Sequence, residues 1–332
     1  MIEILSYPFM QRALIAAILT GLIAPAIGTY VVQRRLSLLG DGLGHVALAG
    51  VGLALLTGAA PIPIAVAACV AGAVVVEILR QRGKATGDVG LAVLFYGGLA
   101  AGVFLSGISG VGAGGLAQYL FGSLTTVTAS DLTLIAILAI VILVTTLGLA
   151  PQLYAASTDE EFARTQGLRV RFYHIAVVSL AAVTVALAMR TVGLLLVSAL
   201  MVIPVAAARN LVHGFVGTLL CAIGIGVTTA VGGAAASFYV DAAPGAFIVL
   251  LAIAVFMLSW PISHLLRRRD AAAVLPELLD DDELVAPHTI TEDHPHRHAP
   301  GCGHLAMQHG DHTDFIHEGH RHAIHANHYD EH

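Results

Sequence analysis

The chain has 332 residues, of which 57% are hydrophobic and 11% are charged, and its mean hydropathy is +0.83. A soluble chain of this length carries about 25% charged residues, so the composition excludes an ordinary soluble enzyme. The net charge of −6 is unevenly divided: residues 1–264 carry 11 basic and 9 acidic side chains, whereas residues 267–332 carry 5 basic and 13 acidic ones. Because no broad basic surface is present, we expect no nucleic-acid partner.

Uncharged stretches long enough to cross a bilayer recur throughout residues 1–266. A membrane helix needs about 20 mostly apolar residues. The predicted fold is therefore an all-α, polytopic transmembrane helix bundle of eight or nine spans, embedded in the lipid bilayer of the cell membrane, followed by a charged tail at residues 267–332. The spans are predicted near 9–32, 41–58, 62–79, 89–107, 131–150, 172–189, 191–208, 213–234 and 245–264.

Basic residues follow alternate spans and are nearly missing from the other loops. Because positive residues favour the cytoplasmic side of a membrane, the odd-numbered spans are predicted to end inside. This places the N-terminus outside and the tail in the cytoplasm, whereas an even number of spans would place the tail outside. The basic residues are Arg34, Arg35, Arg80, Arg82, Lys84, Arg164, Arg169, Arg171, Arg209 and Arg267 to Arg269.

Two ionisable residues at membrane depth, Asp41 and His45, lie four positions apart. In a helix this spacing places both on one face, continuing onto the small residues Ala49 and Gly52. Ionisable groups inside a membrane are costly and usually functional. A carboxylate with an imidazole is a partial site for a divalent first-row cation. The alternative interpretation is a hydrogen-bonded structural pair near the end of the helix.

Four other carboxylates fall near predicted span ends, where we interpret them as solvated interfacial groups. They are Glu77, Asp88, Asp131 and Asp241. Asp88 and Asp131 also suit the first turn of a helix, where a negative charge is favourable. His174, at another span end, is assigned no role.

A cytoplasmic loop at residues 157–172 has the pattern of a short helix. It opens on Ser, Thr and Asp, carries acids in its first turn and ends at Gly167. Such a helix suits docking on a soluble partner; an ordinary amphipathic surface helix is the alternative. The one Gly-Lys pair, Gly83 and Lys84, lacks the first glycine of a phosphate-binding loop, so we expect this chain to be no enzyme and any ATP hydrolysis to occur on another chain.

Ordered blocks across residues 1–264 resemble the membrane permeases of zinc/manganese-type ABC importers. The most characteristic is RRLSLLGDGLGHVALAG at 34–50. The other similar blocks are SYPFMQRALIAA (6–17), DVGLAVLFYGGLA (88–100), QYLFGSLTTVTASDL (118–132), DEEFARTQGL (159–168), VGLLLVSALMVIPVAAAR (192–209) and DAAPGAFIVLLA (241–252).

The resemblance implies a permease that works as a homodimer or pair, docks on cytoplasmic ATP-binding subunits and receives metal from an extracytoplasmic metal-binding protein. It implies that 159–168 is the coupling helix, with Glu161, Arg164 and Gly167 contributing to coupling. It also implies that Asp41 and His45 lie on the translocation path. The chain departs from the family at Gly44, where Ser is commoner, and we expect the glycine to leave more room beside His45.

The tail contains 13 histidines within residues 288–332. Because few large apolar residues accompany them, we expect a disordered, low-complexity segment without a core. Neutral imidazole binds zinc, nickel and copper well, so we predict weak, exchangeable metal sites, to which Cys302 adds a softer donor. The predicted tail ligands are His294, His296, His298, His304, His309, His312, His317, His320, His322, His325 and His328.

Zinc is the expected cargo, because manganese does not favour imidazole-rich segments; manganese or iron import is the alternative within the same family. No permanently bound cofactor is expected, and ATP belongs to the partner subunit. Three further alternatives are a permease for a bulky metal chelate, a secondary metal carrier that needs no ATPase, and a membrane protein that senses metal through its tail. A secondary carrier is expected to show an inverted repeat, and the sequence shows no convincing one.

Overall fold

The computed structural model describes residues 6–83, 87–110, 119–122, 127–189, 192–240, 242–280, 303, 305–309, 312–317, 320–325 and 328–331. The chain divides into two units, Met1–His264 and Leu265–His332. Within the described residues the helices are α1 Pro8–Gln33, α2 Leu39–Thr57, α3 Pro61–Gln81, α4 Gly87–Ile108, α5 Ala129–Gly148, α6 Ala150–Thr158, α7 Glu160–Thr165, α8 Val170–Ala188, α9 Leu194–Leu211, α10 Phe215–Val240 and α11 Pro244–Asp280.

Eight of these helices are long and apolar enough to cross a membrane: α1, α2, α3, α4, α5, α8, α10 and the Pro244–His264 part of α11. In α9 the apolar stretch is shorter, Leu196–Leu211. The predicted all-α bundle of eight or nine spans is therefore confirmed. The predicted span at 191–208 begins later, at Leu194, because the backbone of Gly193 takes a left-handed φ of 90° that a helix cannot continue.

Local sequence signals account for several helix ends. Proline occupies the first turn of α1, α3 and α6, where its missing N–H forfeits no hydrogen bond. Thr128 caps α5 by accepting a hydrogen bond from the Asp131 backbone N–H, and the Asp131 carboxylate accepts one from the Thr128 backbone N–H, which completes a capping box. The predicted helix-start role of Asp131 is thus confirmed. The side chain of Asp88 and the whole of Asp241 lie outside the described residues.

Glycines allow the helices of the first unit to approach backbone to backbone. A Cβ atom at Gly98 of α4 would lie 2.6 Å from the carbonyl carbon of His45, and one at Gly50 of α2 would lie 2.6 Å from the Cα of Ala65 in α3. Helices in lipid associate through such close contacts. As a result α2 is enclosed by α3, α4, α8 and α9, and about two thirds of its apolar window is buried.

The second unit contains four short strands: β1 Leu305–His309, β2 His312–His317, β3 His320–His325 and β4 His328–Glu331. They form one antiparallel sheet in the order β1-β2-β3-β4. Phe315 is 5% exposed, and it is the large apolar side chain buried among the described residues of these strands. This agrees with the expectation of a tail without a substantial core.

The contact of Gly98 with α2 yields a stability prediction. Gly98→Ala adds a methyl group against the His45 backbone, so we expect a lower melting temperature of the purified protein, with a loss of about 1–3 kcal/mol from overpacking. Gly97→Ala is the matched control, because a Cβ atom there meets nothing within 4 Å. Equal melting temperatures for the two variants would contradict this account of the α2–α4 contact.

Candidate functional site

Asp41 and His45 lie one turn apart at the beginning of α2, as the sequence predicted. Asp41 is half-buried and His45 is 6% exposed. Helix α2 holds them inside the bundle because its neighbours contact its backbone on several sides.

The Asp41 carboxylate is held by a residue that the sequence analysis did not identify. Ser198 of α9 donates a hydrogen bond from its hydroxyl to Asp41 Oδ1 at 2.5 Å. Gly40 permits this contact, because a Cβ atom there would lie 2.9 Å from the Ser198 Cβ. The sequence does show the Ser198 hydroxyl within the aliphatic run of α9, but it does not show that this hydroxyl contacts Asp41.

The His45 ring is packed edge-on against Phe95 of α4, with ring centroids 4.1 Å apart. Its Nδ1 is buried and has no hydrogen-bond partner among the described residues. A buried polar atom left without a partner is destabilising and calls for an explanation such as an ion. Without a proton, Nδ1 has a lone pair that can bind a cation. With a proton, it can donate a hydrogen bond to a ligand.

A cavity of about 280 Å³ opens beside Asp41. Its wall is mostly apolar and includes Phe95, which also contacts His45. Across the described parts of the chain, no group of three or more His, Cys, Asp or Glu side chains is placed to hold a metal ion. One copy of the chain therefore offers two donors, which we call the half-site.

The expectation that Gly44 leaves room beside His45 was wrong. A Cβ atom at Gly44 would lie 3.2 Å from the side chain of Leu194, so this glycine serves the contact between α2 and α9. The space that a side chain at position 44 would take is next to Leu194.

The interpretation of Glu77 as a solvated interfacial group was also wrong. Glu77 is 3% exposed, and its Oε1 accepts hydrogen bonds from Arg34 at 3.1 Å and from Arg80 at 3.0 Å. Gln81 donates a further bond to the same oxygen at 3.0 Å, and His174 Nδ1 lies 3.6 Å away. We call these five residues the Glu77 cluster. It forms because Arg34, at the end of α1, is buried too and needs a counter-charge.

The Glu77 cluster ties together four helices at one end of the bundle. His174 of α8 shares a hydrogen bond of 3.0 Å between its Nε2 and the carbonyl of Ala156 in α6, and Arg34 of α1 donates to the His174 carbonyl. Burial lowers the pKa of the Arg34 guanidinium, and the adjacent Glu77 carboxylate opposes that shift. The guanidinium stays charged because its ordinary pKa is so high.

The predicted helix in the loop between α5 and α8 is present as α7. Asp159 caps it by accepting a hydrogen bond from the Phe162 backbone N–H at 2.9 Å, and Gly167 ends it with a φ of 78°. Glu161 and Arg164 are exposed on this helix, and Phe162 is 56% exposed. The exposed face of α7 therefore combines one aromatic ring with charged side chains.

The predicted tail ligands fall into two groups. His309, His312, His317, His320, His322, His325 and His328 lie in the four strands. His294, His296, His298, His304 and Cys302 lie outside the described residues.

A bundle of apolar helices with a carboxylate and an imidazole on its enclosed helix defines a polytopic membrane transport protein. Residues 6–263 match the model of the ABC 3 transport family, and the chain belongs to this family. It is a multi-pass permease subunit, and the resemblance noted from the sequence is confirmed.

Two relatives and one solved structure illustrate the match. The manganese transport system membrane protein MntC of Halalkalibacterium halodurans is 32% identical over 259 residues, covering 78% of this chain and 88% of the relative. A probable metal transport system membrane protein of Treponema pallidum is 33% identical over 80% of this chain and 99% of its own. PsaBC from Streptococcus pneumoniae in complex with Fab superposes with a TM-score of 0.71 at 28% identity, covering 77% and 92% of the two chains.

The Glu77 cluster yields a second stability prediction. Glu77→Gln keeps the shape of the side chain but leaves Arg34 buried without a counter-charge, so we expect a loss of about 3–5 kcal/mol, measured as a lower melting temperature. Adding Arg34→Gln to it is expected to restore part of the loss, because the uncompensated charge is then removed. Glu161→Gln, at an exposed carboxylate, is the control that leaves stability unchanged. A melting temperature for Glu77→Gln equal to that of the control would show that the pairing contributes little.

Proposed function

We propose that the chain is the permease of an ATP-driven importer whose cargo, a divalent first-row metal ion, passes the half-site of Asp41 and His45. The observation that carries the proposal is the buried, unpartnered Nδ1 of His45 one turn from a carboxylate on an enclosed helix. Family membership supports it, as does the similarity to MntC, a manganese transport system membrane protein.

Two copies of the chain complete the site. One copy supplies one carboxylate and one imidazole, and two copies facing each other supply two of each, enough for a four-coordinate ion. The permease therefore works as a homodimer, and each half-site holds metal weakly by itself. Among the described residues Ser198 donates to one oxygen of Asp41, which leaves the other oxygen for the ion.

Zinc is the cargo that this chain's own residues favour, because imidazole is a better ligand for zinc than for manganese, and the tail is rich in imidazole. Manganese is the second candidate, supported by the similarity to the manganese transport system membrane protein MntC. Iron is a third, supported by the similarity to the chelated iron transport system membrane protein YfeD of Yersinia pestis. Side-by-side uptake of the three metals at equal free concentration decides among them.

The partners follow from the proposed transport cycle. ATP is hydrolysed on a cytoplasmic subunit, and an extracytoplasmic binding protein delivers the metal. Helix α7 is the coupling helix, on which Phe162, Glu161 and Arg164 form the docking surface. The protein lies in the plasma membrane. With α9 counted as a ninth span beside the eight longer ones, α7 and the tail lie on the cytoplasmic side, as the distribution of basic residues indicates.

The half-site is tested by metal uptake into liposomes containing the assembled importer. His45→Ala removes an ion ligand and is expected to abolish uptake, and Asp41→Asn, which keeps the shape but removes the charge, is expected to lose most of it. Both variants should still assemble with the ATP-binding subunit. His213→Ala, a histidine outside the half-site, is the control for loss of one imidazole.

Ser198→Ala adds a finer test of the same site. It leaves both ion ligands in place but frees the carboxylate, so KM for the metal is expected to rise about tenfold while kcat changes little, because a hydrogen bond to a charged group contributes about 1.5 kcal/mol. If His45→Ala shows normal metal uptake per assembled complex, the half-site has no part in transport.

The coupling role of α7 is tested at Gly167. Any side chain there is strained by the left-handed φ, so Gly167→Val is expected to misplace the end of α7 and to uncouple ATP hydrolysis from uptake. Gly58→Val is the matched control: Gly58 has a φ of 68°, and a Cβ atom there meets nothing within 4 Å, as at Gly167. Coupled transport in the Gly167 variant, or equal uncoupling in both variants, would contradict the assignment.

A further inference from the structure

Two adjoining cavities lie between the end of α3, the short helix α7 and the beginning of α8. The first, of about 260 Å³, is lined by Arg80, Gln81, Glu160, Arg164, Arg171 and His174. The second, of about 460 Å³, shares Arg164 and Arg171 with the first and is also lined by Arg169 and Phe172. We call the two cavities together the basic cleft.

The arginines of the basic cleft use only part of their hydrogen-bonding capacity within the chain. A guanidinium group has five N–H donors. Arg80 donates two hydrogen bonds to the Glu77 carboxylate, and Arg164 donates one to Glu160 at 2.5 Å. Arg171 is exposed and forms no ion pair with another described residue. Donors on all three arginines therefore remain for a ligand.

The basic cleft carries more positive than negative charge. Its four arginines share one carboxylate of the cleft, Glu160, and the buried Glu77 behind Arg80 is also paired with Arg34. Guanidinium groups recognise phosphate through paired, charge-assisted hydrogen bonds. A phosphate group placed in the cleft would therefore both neutralise the arginines and accept their free N–H groups.

The basic cleft lies where two membrane spans end. Both α3 and α8 are long and apolar enough to cross a membrane, and Arg80 is in the last turn of α3 whereas Arg171 is in the first turn of α8. Next to these arginines in the chain, Leu79 is 37% exposed and Phe172 is 57% exposed. Exposed apolar side chains at the end of a span contact lipid, and the polar headgroup region begins just beyond the hydrocarbon core.

We propose that the basic cleft binds the phosphate group of an anionic phospholipid such as phosphatidylglycerol. Basic pockets between membrane helices recognise anionic lipid headgroups. Arg80, Arg164 and Arg171 bind the phosphate, and Phe172 contacts the adjoining part of an acyl chain. Because the three arginines belong to α3, α7 and α8, the headgroup connects α7 to two spans of the bundle.

This binding site goes beyond the topology signal that arginines provide. A topology signal requires only that basic residues lie on one side of the membrane, whereas here they converge on one cleft from three helices. The site uses none of the half-site residues. Lipid binding to the chain alone is the readout, so its outcome does not depend on whether the chain imports metal.

The first experiment measures phospholipid binding to the purified full-length chain by native mass spectrometry. Arg164→Gln combined with Arg171→Gln is expected to weaken phosphatidylglycerol binding by about tenfold or more. The matched control, Arg82→Gln combined with Arg209→Gln, removes two exposed arginines that line neither cavity and should bind like the parent chain. Phosphatidylcholine, which has the phosphate but no net charge, is expected to bind more weakly than phosphatidylglycerol. Equal losses in the two double variants, or equal binding of the two lipids, would overturn the proposal.

Melting temperatures provide a second readout and a check on folding. The replaced side chains are exposed, so both double variants are expected to melt like the parent chain without lipid. A ligand that binds the folded state raises its stability. Phosphatidylglycerol is therefore expected to raise the melting temperature of the parent chain and of the control variant more than that of the Arg164 and Arg171 variant. The same rise in all three chains would contradict the site.

The second experiment distinguishes a lipid from a soluble phosphate or a protein as the occupant. Glycerol phosphate, which lacks acyl chains, is expected to leave bound phosphatidylglycerol in place at equal concentration; displacement would overturn the assignment to lipid. If an acidic surface of the ATP-binding subunit occupies the cleft, the Arg164 and Arg171 variant assembles poorly with that subunit yet binds phosphatidylglycerol like the parent chain. That result would also overturn the proposal.

Discussion

Backbone contact at glycines positions α2, and the half-site depends on that contact. Gly98 of α4 rests against the His45 backbone, Gly50 brings α2 against α3, and Gly40 brings Ser198 of α9 within reach of Asp41. In lipid the hydrophobic effect does not distinguish one apolar contact from another, so such close packing specifies the arrangement of helices. A carboxylate and an imidazole are thereby held inside the bundle. On a less enclosed helix, such polar groups would face lipid.

The buried polar groups of the bundle are satisfied to very different degrees. Glu77 has Arg34, Arg80 and Gln81 as donors, so its charge is compensated and its geometry fixed. His45 has an aromatic neighbour and a buried Nδ1 without a partner. A fully bonded cluster stabilises one structure, whereas an unsatisfied atom marks a place where binding can recover energy. This contrast indicates a structural role for Glu77 and supports the ligand role proposed for His45.

The features that were predicted correctly from the sequence are those that depend on a local pattern of residues. Spans follow from the length of apolar runs, the α7 helix from its acidic start and Gly167, and the shared face of Asp41 and His45 from their spacing. The partners of these residues could not be predicted, because Ser198 lies 157 positions from Asp41 and Arg34 lies 43 positions from Glu77. The burial of Glu77 was missed for the same reason: its proximity to a span end is visible in the chain, but the arginine that closes over it comes from another helix.

Donor number suits the proposed half-site to transport. A transport site has to release its ion, and a half-site with one carboxylate and one imidazole binds too weakly to trap an ion in a single chain. Full coordination then exists only in a conformation that brings two copies together, so binding and release follow the motion of the pair.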